Sequence, residues 1–153
     1  AYARPGRQCA HNLNYWRYGD YLGIGAGAHG KITLGAEQAI VRRWKLKHPT
    51  AWLSAAGSDA GLGGDDRVEP AQRPFEYMLN VLRLEEGFRL EDFEARCGLP
   101  REAIAGPLAQ AMRRGWLRER DGRILKTALG GRFVNDVMGL FLLEEDGPAA
   151  ARA

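Results

Sequence analysis

Along residues 70–142 the apolar positions recur at helical spacing, and the interruptions fall on glycine and proline. Phe75, Met78, Leu79 and Leu82 share one face, with Gly87 as a stop, which predicts an amphipathic helix over 70–86. Leu90, Phe93 and Cys97 predict a shorter helix ended by Gly98. Pro100 is placed to open a third, whose Ile104, Leu108, Ala111 and Met112 share a face until Gly115. Pro107 cannot donate to the carbonyl of residue 103, so this helix should kink or split. Residues 116–120, Asp121-Gly122 and 123–126 form a hairpin pattern around an Asp-Gly turn. Thr127 can cap a last helix with Leu129, Phe133, Val137 and Leu140 as its buried stripe, and the acidic Glu144-Glu145-Asp146 should fray.

The first half is patterned more weakly. Residues 1–10, with Pro5-Gly6, are an extended or turning lead-in. Tyr21-Leu22-Gly23-Ile24 is short and apolar, which suits a buried strand of a parallel barrel better than a helix. Gln38 to Trp44 suits a strand. Trp44 and Leu46 alternate with Arg43, Lys45 and Lys47, so a half-buried strand explains this basic run better than a nucleic-acid patch. Pro49 permits a helical turn through Trp52 and Leu53. Residues 55–69 are small, Gly-rich and acidic, the composition of a flexible linker at a domain boundary. The expected class is α+β: one or more strands in residues 1–56, a linker over 57–69, a mainly helical, winged-helix-like domain over 70–146, and a disordered tail over 147–153.

Composition adds limits. The chain has 153 residues, 45% hydrophobic and 27% charged, which suits one core or a small domain plus part of another. No apolar run approaches the ~20 residues of a membrane span. The sequence given opens at Ala1, and no stretch within it has the expected pattern of a signal peptide or transit segment. Cys9 and Cys97 form no CxxC pair, so neither a disulfide scaffold nor a cysteine zinc site is indicated. The net charge of +3 is uneven, because residues 1–48 hold eight Lys or Arg against only Asp20 and Glu37. Anionic groups such as carboxylates or propionates would be drawn there, although a solvated basic face explains the excess as well.

Candidate chemistry concentrates in His11–Gly30, HNLNYWRYGDYLGIGAGAHG. His11 is a potential metal ligand with Asn12, Tyr15 and Trp16 beside it. A neutral imidazole can ligate haem iron axially, the two aromatics offer flat faces to a macrocycle, and Asn12 can orient a ligand through a hydrogen bond. On composition alone, a lone histidine beside aromatics is more often structural. Gly25-Ala26-Gly27 begins a formal G-x-G-x-x-G, but no helix opens after Gly30, which argues against a dinucleotide fingerprint. Glycines there let main-chain groups approach a ligand closely. His29 can close a turn, His48 has no companion ligands, and no Ser, Cys or carboxylate stands in a recognisable pairing with a base. Glu76 sits where a helix dipole favours a carboxylate in any case.

HNLNYW followed by YLGIGAGAHG resembles the end of the radical S-adenosylmethionine domain in the HemW branch of the oxygen-independent coproporphyrinogen III oxidase-like family. Tyr2, Ala3, Pro5 and Gly6 resemble the approach to that motif. Arg43, EYMLNVLRLEEG from Glu76 to Gly87, Gly115-Trp116-Leu117 and Leu125-Lys126-Thr127 resemble the family's C-terminal domain. The family's cluster motif, CxxxCxxC, is missing. The resemblance therefore implies the C-terminal part of such a protein: 1–56 as the last piece of a radical S-adenosylmethionine partial barrel and 70–146 as the helical domain. It implies haem or porphyrin as ligand, with His11, Asn12, Tyr15 and Trp16 at the haem and Gly25, Ala26 and Gly27 facing the cofactor. It also implies S-adenosylmethionine and a 4Fe–4S cluster in the full-length family, a haem-recipient protein as partner, and a cytoplasmic location. The chain alone is expected to be catalytically inactive. Two alternatives stand beside haem handling. One is a coproporphyrinogen III dehydrogenase of porphyrin synthesis. The other is a nucleic-acid-binding winged helix, for which residues 100–126 carry Arg101, Arg113, Arg114, Arg118, Arg120, Arg123 and Lys126 against three acids, although Pro107 interrupts the helix that would enter a groove.

Overall fold

The structure is a computed structural model describing residues 3, 4 and 6–142. It divides into two compact units, Ala1–Glu69 and Pro70–Ala153.

The first unit is built on a three-stranded antiparallel meander, β1 (His29–Leu34), β2 (Ala39–Lys45) and β3 (Leu62–Arg67), with β2 central. Ile32 faces Val41, and Val41 faces Arg67. Ala39, Ile40 and Val41 are buried, together with Tyr18 and Val68. A helix α1 (Ala10–Trp16) precedes the sheet, and α2 (Pro49–Ala55), with proline in its first turn, lies between β2 and β3.

Two expectations are corrected here. Tyr21–Ile24 is neither a buried strand nor parallel to anything: Tyr21 makes a single antiparallel bridge to Lys31, and Leu22 and Ile24 are 75% and 88% exposed. The glycines force this outcome, since a Cβ on Gly23 would lie 2.3 Å from the His29 carbonyl oxygen and one on Gly30 3.1 Å from that of Tyr21. The two backbones pass too closely for side chains, and the chain turns back on itself.

Residues 62–67, expected within a linker, form β3 instead. Its small residues are a packing requirement, because a Cβ on Gly63 or Gly64 would come within 2.7 or 2.4 Å of the Trp44 indole. Its acids serve pairing: Asp65 binds Arg43 at 3.1 Å, and Asp66 lies opposite Arg42.

The second unit contains α3 (Arg73–Val81), α4 (Leu90–Cys97), α5 (Ala105–Arg113), a β4–β5 hairpin (Leu117–Arg120, Arg123–Lys126), α6 (Ala128–Arg132) and α7 (Val134–Gly139). Its centre is aromatic, with Tyr77 edge-on to Phe88 and Phe93 at centroid distances of 5.6 and 5.4 Å. Burial pushes the Tyr77 phenol well above its ordinary pKa, with Cys97 and Asp92 adding to the shift. Nearby, buried Arg73 donates to the Cys97 carbonyl at 2.9 Å.

Helix α3 stops at Val81 rather than 86 and buries Tyr77, Met78 and Val81, while Phe75 and Leu79 are only half-buried. Gly87 is required by packing as well as by its positive φ, since its Cβ would lie 2.0 Å from the Ile124 oxygen beside the Phe88–Ile124 bridge. The third helix does split. Arg101–Ile104 is a 3-10 turn, and Pro107 falls in the first turn of α5, where a missing N–H costs no helix hydrogen bond. Asp121 and Gly122 take φ of +53° and +70°, as a type I′ turn demands.

The expected last stripe holds at Val137 and, half-buried, at Leu140, but not at Leu129 and Phe133. The helix breaks at Phe133, which changes the phase, so Val137, Met138 and Phe141 are buried while Leu129 and Phe133 are 43% and 45% exposed. Residues 144–146 and the tail 147–153 lie outside the described residues.

Candidate functional site

Helix α1 carries HNLNYW and buries none of its residues. Four-residue spacing places His11 above Tyr15, with ring centroids 6.2 Å apart, and puts Asn12 and half-buried Trp16 on the adjoining stripe. The His11 imidazole is exposed and makes no hydrogen bond to any described residue. Asn12 likewise has no side-chain partner among the described residues. The neighbouring Asn14 takes the structural part, donating from its amide to the Asp20 carbonyl at 2.8 Å. The Tyr15 ring packs against that of Tyr21, tilted by 32° with centroids 4.3 Å apart, and Tyr15 donates its hydroxyl proton to the Tyr21 hydroxyl at 2.7 Å.

Beneath the helix lies a buried lysine. Lys31 donates to the Tyr18 carbonyl and to Asp20 Oδ1, both at 3.0 Å, and its Nζ sits 4.2 Å over the Tyr18 ring. Asp20 also accepts from the Thr33 backbone at 2.9 Å and from the Thr33 hydroxyl at 2.8 Å. Partial burial alone would raise the Asp20 pKa, but the Thr33 backbone bond and the bonds and charge from Lys31 and Thr33 outweigh it and hold the carboxyl below its usual value.

Gly25-Ala26-Gly27 lies in the return loop toward β1. Gly25 and Gly27 take φ of +108° and +67°, and Gly27 N–H donates to the Leu46 carbonyl at 2.8 Å, which fastens the loop to the end of β2. Open space surrounds the Cβ position of Gly25. His29 stacks on Trp44 at 6.3 Å, and His48 precedes α2 exposed. Among the described residues no three His, Cys, Asp or Glu side chains gather to hold a metal ion. Cys9 is exposed in the first unit, and Cys97 is buried in the second. Among the described residues the two cysteines therefore offer no ligand set for an iron–sulfur cluster.

In the second unit the basic residues of 100–126 are largely committed to structure. Arg101 binds Glu94 at 2.7 Å, Arg123 donates to the Glu86 and Gly87 carbonyls, and Lys126 ties the Leu82 carbonyl to Glu85. Arg114 covers Trp116 at 4.8 Å, and Arg120 pairs with Asp121. This leaves Arg113 and Arg118 without such partners among the described residues, which is little for a phosphate-binding face. Glu76 stands in the first turn of α3, as a dipole-favoured carboxylate should. A cavity of about 280 Å³ opens between α3, β5 and α7, lined by Leu79, Leu82, Arg83, Lys126, Asn135 and Met138.

Sequence reasoning singled out His11, Tyr15 and the glycines but missed Asn14, Tyr21 and the Asp20–Lys31 pair. One signal was available: Asp20 is one of only two acids among the first 48 residues, so a basic partner for it could have been sought.

Residues 68–133 match the HemN C-terminal domain family. The heme chaperone HemW of Escherichia coli is 41% identical over 144 residues, covering 94% of this chain and 37% of that protein. The heme chaperone HemW of Mycobacterium tuberculosis is 32% identical over 143 residues, 92% of this chain and 33% of its own. A mitochondrial radical S-adenosyl methionine domain-containing protein 1 of Dictyostelium discoideum is 33% identical over 99 residues, 54% of this chain and 22% of its own. The chain thus spans about a third of the length of these HemW relatives, 37% of the first and 33% of the second. No solved structure gives a significant match. No helix among the described residues is long and apolar enough to cross a membrane. Residues 68–133 thus form a domain of the HemN C-terminal family, and over 94% of its length the chain is similar to a heme chaperone HemW, as a C-terminal portion of such a protein would be.

Proposed function

We propose that this chain is the haem-binding C-terminal portion of a cytoplasmic haem-handling protein and carries no catalysis of its own. The observation that carries the reading is His11, an exposed imidazole with no protein hydrogen bond among the described residues, whose ring centroid lies 6.2 Å from that of Tyr15 on a helix with no fully buried residue. Such a histidine is available as an axial ligand in a way that a satisfied structural histidine is not. His11 would ligate the iron, Tyr15 or Trp16 would lie against the ring, and Asn12 would offer its amide to the ligand. The basic excess of residues 1–48 favours the propionates. Haem supplies the iron and the apolar ring. The protein's share is to present the imidazole, cover the ring and pass the group on to a recipient protein.

In the whole protein, the first unit would close a radical S-adenosylmethionine partial barrel whose preceding part holds the 4Fe–4S cluster and S-adenosylmethionine, with Gly25-Ala26-Gly27 facing the cofactor. The open space at Gly25 is compatible with close main-chain approach there. The second unit would serve as a winged-helix-like domain rather than a nucleic-acid reader, since three helices, a hairpin and two short helices follow in order and most basic residues of 100–126 are spent within the unit. The test is an equilibrium titration of the chain with ferric haem followed in the Soret band. Saturable binding at one equivalent is expected, and absence of saturable binding refutes the reading. Cleavage of S-adenosylmethionine or oxidation of coproporphyrinogen by the isolated chain would refute its inactivity.

A further inference from the structure

We infer that Asn14, Asp20 and Lys31 are positioning residues for haem: they form a polar knot that fastens the His11 helix to the sheet. The inference rests on the haem-binding reading and deepens it.

A seven-residue helix is not stable by itself in water, and helices in proteins usually gain their place by burying an apolar face. Helix α1 buries none. Leu13 and Trp16 are only half-buried, so polar bonds add to its fastening, and these converge on Tyr18–Tyr21. Asn14 holds this segment from both sides, its amide donating to the Asp20 carbonyl and its own carbonyl accepting from Gly19 N–H, each at 2.8 Å. The segment lies flush against the helix, because a Cβ on Gly19 would fall 2.1 Å from Asn14 Oδ1. From the other side, β1 reaches back through Lys31 to the Tyr18 carbonyl and the Asp20 carboxylate, and through Thr33 to the same carboxylate. Tyr21 completes the junction, paired through its main chain with Lys31 and through its hydroxyl with Tyr15.

A lysine only 2% exposed is costly unless its charge is paired, and a methionine would fill similar volume without that cost. Lys31 is compensated by an arrangement that fixes where α1 leaves the sheet. The direction of His11 and the ring of Tyr15 follow from it. An iron ligand needs placement within a fraction of an ångström, and the residues that orient a ligand carry much of a site's affinity.

The experiment compares the 153-residue chain with Asn14→Ala, Lys31→Met, His11→Ala and Arg67→Ala. The last breaks an exposed ion pair with Glu37 and serves as a control. Ferric haem is titrated into each, and amide exchange is read without haem. Asn14→Ala and Lys31→Met are expected to weaken haem binding roughly tenfold to a hundredfold while leaving the saturated spectrum that of the wild type. They are also expected to speed exchange of the Leu13 and Arg17 amides, which donate to Cys9 and Leu13 carbonyls, and to leave the β1–β2 amides protected. Arg67→Ala should change neither. Wild-type affinity in Asn14→Ala overturns the inference, as does loss of protection at α1 without loss of affinity. If Lys31→Met unfolds the sheet, the exposed Asn14→Ala decides the matter by itself. Failure of the haem reading looks different: the wild type does not bind, or His11→Ala binds with the same affinity and spectrum, and the inference then falls with it.

Discussion

Thr127→Ala isolates one junction of the second unit. The Thr127 hydroxyl accepts the Gly130 backbone N–H at 3.0 Å, which caps α6, and its proton goes to the Gly115 carbonyl at 2.7 Å, with the Trp116 carbonyl at 3.1 Å as the alternative acceptor. One side chain thus joins the start of the β4–β5 hairpin to the helix that follows it. Losing a threonine cap costs about 1 kcal/mol. The freed Gly115 carbonyl is exposed, so water replaces most of that bond and its loss adds only about 0.5 kcal/mol. The expected destabilisation is therefore about 1.5 kcal/mol, which lowers Tm by roughly 6–12 °C for a unit of this size. Thr127→Ser retains acceptor and donor and should stay within about 0.5 kcal/mol of wild type. The assay is urea unfolding at pH 7, followed by Trp116-sensitive near-ultraviolet circular dichroism and by far-ultraviolet signal. A change below about 0.3 kcal/mol in Thr127→Ala, or equal damage by serine, would refute the capping argument.

Three further outcomes follow from the same geometry. Because Asp20 titrates below its unfolded value of 3.8, its contribution is complete above that value and is lost as pH falls through the folded pKa, so the acid-side loss of first-unit stability between about pH 5 and 2 should be shallower in Asp20→Asn. Gly64→Ala, at φ +154° and with its Cβ 2.4 Å from the Trp44 ring, should displace that indole and unpair β3, cost about 2 kcal/mol or more, and shift tryptophan fluorescence; an unchanged spectrum would contradict the packing described. Arg101→Ala should raise the Glu94 carboxyl pKa, read by carboxyl-carbon NMR, since the hydrogen bond from Arg101 is the largest cause of its lowering.

What the sequence disclosed was what local chemistry decides. Leu90–Cys97 has its bounds written in Leu90, Phe93, Cys97 and a left-handed Gly98, and Asp121-Gly122 could hardly be anything but a hairpin turn. The third helix split because of Pro107, although the break fell before the proline rather than at it. What escaped was non-local. Residues 62–67 resemble a linker until Trp44 is laid over Gly63 and Gly64, and the requirement for small residues is visible only in that contact. Apolar Tyr21–Ile24 suggested burial, but Gly23 and Gly30 are spent on backbone approach, and Leu22 and Ile24 face outward. At the site, His11 and Tyr15 were legible as a histidine close to aromatics in HNLNYW, whereas the helix that sets them four apart on one face was not expected. The Asp20–Lys31 pair was not, since eleven residues and a turn separate its members. Asn12 and Asn14 are chemically identical in the sequence, and only the Asp20 carbonyl distinguishes them.

The central claim is that His11 presents an iron ligand, and the most direct measurement is the Soret spectrum of the ferric-haem complex of wild type against His11→Ala, each with and without added imidazole. The account predicts a shifted band and roughly tenfold or greater weakening in His11→Ala, with imidazole restoring the wild-type spectrum by entering the vacated ligand position. Identical spectra and affinities for the two proteins, indifferent to imidazole, would contradict it and leave HNLNYW as a helix held by Asn14 and Tyr15 for structural reasons alone.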